Sequence, residues 1–140
     1  MDYYFDDFYD VKNVIKHQKQ KQEEEGYKIN LSPYKFYGLT KSNDEKYKYE
    51  AIFTDRETGQ VKHIKFGTKG YKDYIWYQAN TNAKNAIKQK RIFYARNIHN
   101  IDFGNPKTAS WWCAQILWNR VNLEYSLKNT LKALGELGYL

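Results

Sequence analysis

Residues 46–54, KYKYEAIFT, decide the fold class. Tyr47, Tyr49, Ala51 and Phe53 fall on one side of an extended chain, and Lys46, Lys48, Glu50 and Thr54 on the other. This period-two alternation belongs to a strand with one buried face. Its neighbours complete a sheet. Upstream, residues 34–40 read as a strand, and Ser42, Asn43 and Asp44 supply a turn between the two. Downstream, residues 55–60 form a hairpin loop with Gly59 available for a positive φ, and residues 61–66 return with Ile64 and Phe66 on one face and His63 on the other. The expectation is a three-stranded antiparallel meander.

Past the sheet the periodicity changes. Residues 67–70, GTKG, break the pattern, and the aromatic run 71–78 fits either a strand or the start of a helix. Residues 80–97 read as a helix, with Ala83, Ala86, Ile87, Phe93 and Tyr94 on one arc. Lys84, Lys88 and Arg91 recur at i, i+4 and i+7 as a stripe beside that arc. Asn105 and Pro106 are placed to open the next helix, since proline suits a first turn. Residues 109–118, ASWWCAQILW, are polar only at Ser110 and Gln115 and so belong in the interior or under a partner. Asn122 caps a last helix with Leu123, Leu127, Leu131 and Leu134 on one face, ending at Gly135. Trp112, Ile116, Leu127 and Leu131 are expected in the core. The order of sheet then helices gives an α+β fold, a small meander packed with carboxy-terminal helices.

Two segments precede this domain. Residues 1–9 form an acidic, aromatic arm, and residues 10–26 a helix with a short apolar edge at Val11, Val14 and Ile15 followed by a wholly polar run. Residues 27–140 are expected to form one domain. The arm docks on its own domain or on a neighbour, and Tyr4, Phe5 and Phe8 are its candidate contacts.

Composition narrows the chemistry. The chain has 140 residues, 18% aromatic, with a single cysteine and a net charge of +7. One cysteine excludes an internal disulfide framework and a multi-cysteine zinc site. No run approaches the ~20 apolar residues that span a bilayer, and the acidic start is unlike a signal or transit peptide. Residues 61–99 hold nine basic residues and one acid, so this stretch is +8 while the remainder is −1. Localised positive charge suits an anionic partner; a solvated lysine-rich surface accounts equally for the same residues.

Catalytic patterns are weak. His17, His63 and His99 lie far apart, without metal-ligand spacing. Cys113 sits in the most apolar helix, where burial makes a thiol inert. The carboxylates at 23–25 and at Asp44 and Glu45 lie in polar surroundings that leave them ordinary. The glycines around Lys69 lack the spacing of a nucleotide-binding loop. The reading is therefore a protein that is not an enzyme and needs no cofactor or metal. Lys69, Lys84, Lys88, Arg91 and Arg96, interleaved with rings, are candidate contacts to a polyanion.

Residues 66–74 (FGTKGYKDY), 94–97 (YARN), 105–109 (NPKTA) and 116–119 (ILWN) together carry a resemblance. The pattern is similar to that of small basic proteins encoded by nucleocytoplasmic large DNA viruses, and it covers roughly residues 46–132. The chain departs from it at residues 75–78, IWYQ, and at Trp111, where the family has a small residue. The resemblance implies a viral source and brings no activity with it. With that source, the missing catalytic constellation, the aromatic amino terminus and the tryptophan-rich helix give the expectation of a virion structural protein, a minor capsid or cement component located in the capsid, otherwise intracellular and not secreted. Its partners are then other capsid proteins or copies of itself, with Trp76 and Trp111 as candidate contacts. A sequence-independent nucleic-acid-binding protein using residues 62–96 is the alternative.

Overall fold

The computed structural model describes residues 31–140. The expected arm at 1–9 and helix at 10–26, with Tyr4, Phe5 and Phe8, lie outside the described residues. Three strands, β1 (Tyr34–Lys41), β2 (Tyr47–Asp55) and β3 (Val61–Thr68), form an antiparallel sheet in the order β1-β2-β3. The two turns are built as their residues dictate. Asp44 Oδ1 accepts from Lys46 N, Asp55 Oδ1 accepts from Glu57 N and Thr58 N, and Gly59 takes φ +72°.

The register explains which side chains enter the core. Phe36 pairs with Phe53, but Leu39 pairs with Ala51, because a bulge between Phe36 and Gly38 adds one residue to β1. Tyr37 is the extra residue and stays exposed, while Phe36 and Leu39 both reach the interior. The alternation of β2 is imperfect in the opposite sense. Ile52 and Glu50, on the side expected to be polar, are both buried. Glu50 Oε2 accepts from Asn43 N at 3.2 Å, and His63 Nδ1 lies 3.4 Å from its other oxygen.

Four helices follow: α1 (Tyr74–Asn80), α2 (Ala83–Asn97), α3 (Ala109–Trp112) and α4 (Leu123–Glu136). A short 3-10 turn, Ile98–Asn100, follows α2, and a π turn, Cys113–Leu117, continues α3. The aromatic run after the sheet is thus a helix from Tyr74 on, and the helix expected over 80–97 begins at Ala83. Thr81 and Asn82 separate the two helices. Thr81 Oγ1 donates to Tyr77 O at 2.6 Å, ending α1, and Asn82 Oδ1 accepts from Asn85 N at 2.8 Å, starting α2. Short polar side chains compete with the backbone for its own hydrogen bonds and so mark boundaries.

Asn105 and Pro106 do not open α3. Asn105 folds into its own turn, accepting from Lys107 N, and the helix begins after Thr108. Trp111 and Trp112 then fasten the loop behind them: Trp111 Nε1 donates to Phe103 O at 2.9 Å and Trp112 Nε1 to Pro106 O at 2.6 Å. Each buried indole N–H thereby finds the acceptor it needs. Trp112 stacks on Phe36 with centroids 5.4 Å apart and meets Phe53 edge-on at 6.0 Å.

Helix α4 closes the core with Leu127, Leu131 and Leu134, all fully buried, and Asn122 Oδ1 caps its start by accepting from Tyr125 N. The helix does not end at Gly135. It runs through Glu136, and Gly138 takes the left-handed φ of +84°. Tyr139 N donates to Leu134 O and Gly138 N to Gly135 O, the paired bonds that terminate a helix at a glycine. Phe36 N then donates to Tyr139 O at 2.7 Å, so residues 138–140 lie along the edge of β1 that no other described strand pairs with.

Candidate nucleic-acid interface

Helix α2 carries Lys84, Lys88, Lys90, Arg91 and Arg96, and residues 74–101 contain no carboxylate. Its sequence would give a poor core helix, and the structure buries only Ala86. Its attachment is different in kind. The π turn and the residues after it leave main-chain carbonyls without helical partners. Side chains from the flanking helices reach them. Tyr94 Oη donates between Trp118 O at 3.0 Å and Ala114 O at 3.3 Å. Lys90 Nζ donates to Asn119 O at 2.6 Å. From α4, Thr130 Oγ1 lies 3.2 Å from Gln115 O. Phe93 stacks on Trp118 with centroids 4.6 Å apart and planes nearly parallel, at 2°.

These contacts fix which face of α2 looks outward. Lys84, Lys88 and Arg91 are all exposed, on the side opposite the buried Ala86 and flanking the arc of Tyr94. Arg96 is exposed too, but it stands about a third of a turn from Lys84 on the helix and outside the stripe. None of the four has a carboxylate partner among the described residues. Ion pairs among the described residues are found at Lys48–Asp73, Lys65–Asp44 and Lys128–Glu124, with His63 beside Glu50.

Lys69 is exposed in the loop after β3. That loop does not cradle a phosphate through its amides. Lys69 N already donates to Lys46 O at 2.9 Å and Tyr71 N to Thr68 O at 3.4 Å. Gly67 serves packing instead. At φ +74° its absent Cβ would lie 2.9 Å from Leu117 Cδ1 and 3.3 Å from Lys48 Cβ. Lys48 ties the following segment down, donating to Tyr71 O at 2.6 Å and to Asp73 Oδ2 at 2.7 Å. Asp73 Oδ1 accepts from Trp76 N and so starts α1.

The two tryptophans separate. Trp76 is 37% exposed, with Lys72 Nζ 4.3 Å above its ring. Trp111, expected on a partner surface, is fully buried in this chain. Its neighbourhood is the reason: it meets Trp112 edge-on at 5.0 Å, and its N–H is committed to Phe103 O.

The sequence reading missed a cleft of about 570 Å³ between α2 and the start of α4. Lys90, Arg120 and Lys128 line it together with Tyr74, Asn119 and Tyr125. Burial and the neighbouring Arg120 charge pull the Lys90 ammonium below its usual pKa. Lys90 Nζ also lies 4.9 Å from the Tyr74 ring centroid. The available signal was a lysine four residues before Tyr94, and therefore on the inward arc of its helix.

Among the described residues no group of three or more His, Cys, Asp and Glu could hold a metal ion. Burial pushes the Cys113 thiol pKa up. No described helix is long and apolar enough to cross a membrane. No protein-family model, curated protein or solved structure matches the chain.

Proposed function

We propose that this protein is a non-enzymatic binding protein that contacts a polyanion, nucleic acid, through the outer face of α2. One observation carries the reading: Lys84, Lys88 and Arg91 form an exposed stripe on a helix of five cations, within residues 74–101 that hold no carboxylate. Such a face gains its affinity by releasing counterions from phosphates, which makes binding steeply dependent on salt and indifferent to sequence. Replacing Lys84, Lys88 and Arg91 together by Gln should weaken binding and lower the salt slope by ~3, one unit for each lost phosphate contact. Binding unchanged in the triple variant would sink this reading. Circular dichroism of the variant, expected unchanged, separates lost contacts from lost structure.

A second reading is favoured by a different observation. Tyr71, Trp76, Phe103 and Val121 are large apolar side chains left exposed. Together with the resemblance to proteins of large DNA viruses, they support a virion structural protein that works by protein contacts. The acidic arm, with Tyr4, Phe5 and Phe8, is then the linking element between subunits. A fixed ratio to major capsid protein in purified particles, lost on deleting residues 1–9 from a chain that still folds, is the expected result. A truncated chain that unfolds would assign the arm to its own core instead.

A further inference from the structure

We propose that the cleft between α2 and α4 takes one nucleotide of a single strand, phosphate on the cations and base on Tyr125, so that the protein prefers single-stranded to duplex nucleic acid. This inference rests on the polyanion reading above and names its substrate class.

The cleft joins the two chemistries that single-strand binding needs. Cations fix the backbone, and an accessible ring offers a face on which any base can stack. Lys90 and Arg120 supply the first. Both line the cleft, where burial first and the Arg120 charge second lower the Lys90 pKa, and no carboxylate lines it. An ammonium has three donors. Asn119 O takes one from Lys90, and the Tyr74 ring lies against the same group, so donor capacity remains for an anionic oxygen. Lys128, on the wall of the cleft, is shared with Glu124 at 3.3 Å and is the weaker contributor.

Tyr125 supplies the second. It lines the cleft, yet it is 54% exposed, so a ring face is available to a ligand. A base stacked on Tyr125 must be out of the helical stack, because inside a duplex both faces of each base are covered by its neighbours. The cleft and the outer stripe meet at consecutive residues, Lys90 and Arg91. A strand could run along the stripe and turn one nucleotide into the cleft, whereas a stiff duplex would meet the stripe alone.

Fluorescence anisotropy with a labelled thymidine 20-mer, and with a duplex of equal length, tests this at fixed salt. The full chain should bind the single strand more tightly than the duplex. Tyr125→Ala should weaken the single strand by about tenfold, the ordinary worth of one base–ring stack, and bring it to the duplex level. Arg120→Gln should weaken the single strand more than the duplex, and Val61→Ala, exposed on β3 and outside the cleft, should leave the preference intact. Equal affinity for both nucleic acids, or a preference that survives both Tyr125→Ala and Arg120→Gln, would overturn the cleft assignment while leaving the stripe standing. Failure of both nucleic acids to bind would remove the polyanion reading and this inference with it.

Discussion

Helices α2 and α4 have nearly the same length and are held on the protein by opposite means. Helix α4 buries Ser126, Leu127, Thr130, Leu131, Leu134 and Gly135, while α2 buries Ala86 alone. An apolar stripe drives α4 into the core by removing hydrocarbon from water. Helix α2 is pinned at defined points, by one ring stack and by Tyr94 and Lys90 reaching main-chain oxygens. The difference is instructive. A helix anchored by a few directed bonds keeps most of its circumference free, and α2 spends that freedom on exposed cations.

Substitutions can break this comparison or sharpen it. The largest loss should come from the core on which α4 closes. Trp112→Ala should cost about 3–5 kcal/mol and Leu127→Ala about 2–5 kcal/mol in urea unfolding. An unchanged melting temperature for Leu127→Ala would mean that the stripe does not hold α4. Tyr94→Phe keeps the ring of the α2 anchor and removes its hydroxyl, so it should cost about 1–2 kcal/mol. A loss as large as that of Leu127→Ala would show that α2 belongs to the same cooperative core.

Cys113 tests the region between the two helices. Its folded thiol has a raised pKa, from burial first. The stability that this provides is complete below the unfolded value of about 8.5 and is lost as pH rises through the folded value. Alkylation at pH 8 should therefore be slower in the native chain than in urea, and Cys113→Ala should flatten the alkaline fall in stability. Rapid stoichiometric labelling of the native protein would contradict the packing. The smallest effects belong to exposed positions. Glu124→Gln, which breaks the i,i+4 pair with Lys128, should cost about 0.3–0.5 kcal/mol, and Ile87→Ala on α2 no more than about 0.5 kcal/mol.

The elements that sequence made legible are those whose signal is repeated. The alternation at Tyr47, Tyr49, Ala51 and Phe53 marks β2, and leucines at helical spacing mark α4; both patterns sum over many residues. What stayed hidden depends on single contacts. The bulge at Tyr37 rephases β1 without disturbing its composition. Trp111 and Trp112 are alike in sequence terms, and only the path of residues 101–108 around them decides that both are interior. The stripe on α2 was visible as periodic charge. The cleft was not, because Lys90, Arg120 and Tyr125 lie on three separate segments that meet only through the π turn and the residues following it.

The last residues of the chain carry a further consequence. A three-stranded sheet has two open edges, each a row of unpaired main-chain groups that invites strands from other molecules. Along β1 the invitation is withdrawn, because Tyr139 O takes the amide of Phe36 and Arg56 reaches across to the carbonyls of Gly138 and Leu140. Along β3, exposed Lys62 and Lys65 make a second copy unwelcome. Removing Tyr139 and Leu140 would thus do more than shorten a tail. It would uncover one edge of the sheet and favour self-association through its strands.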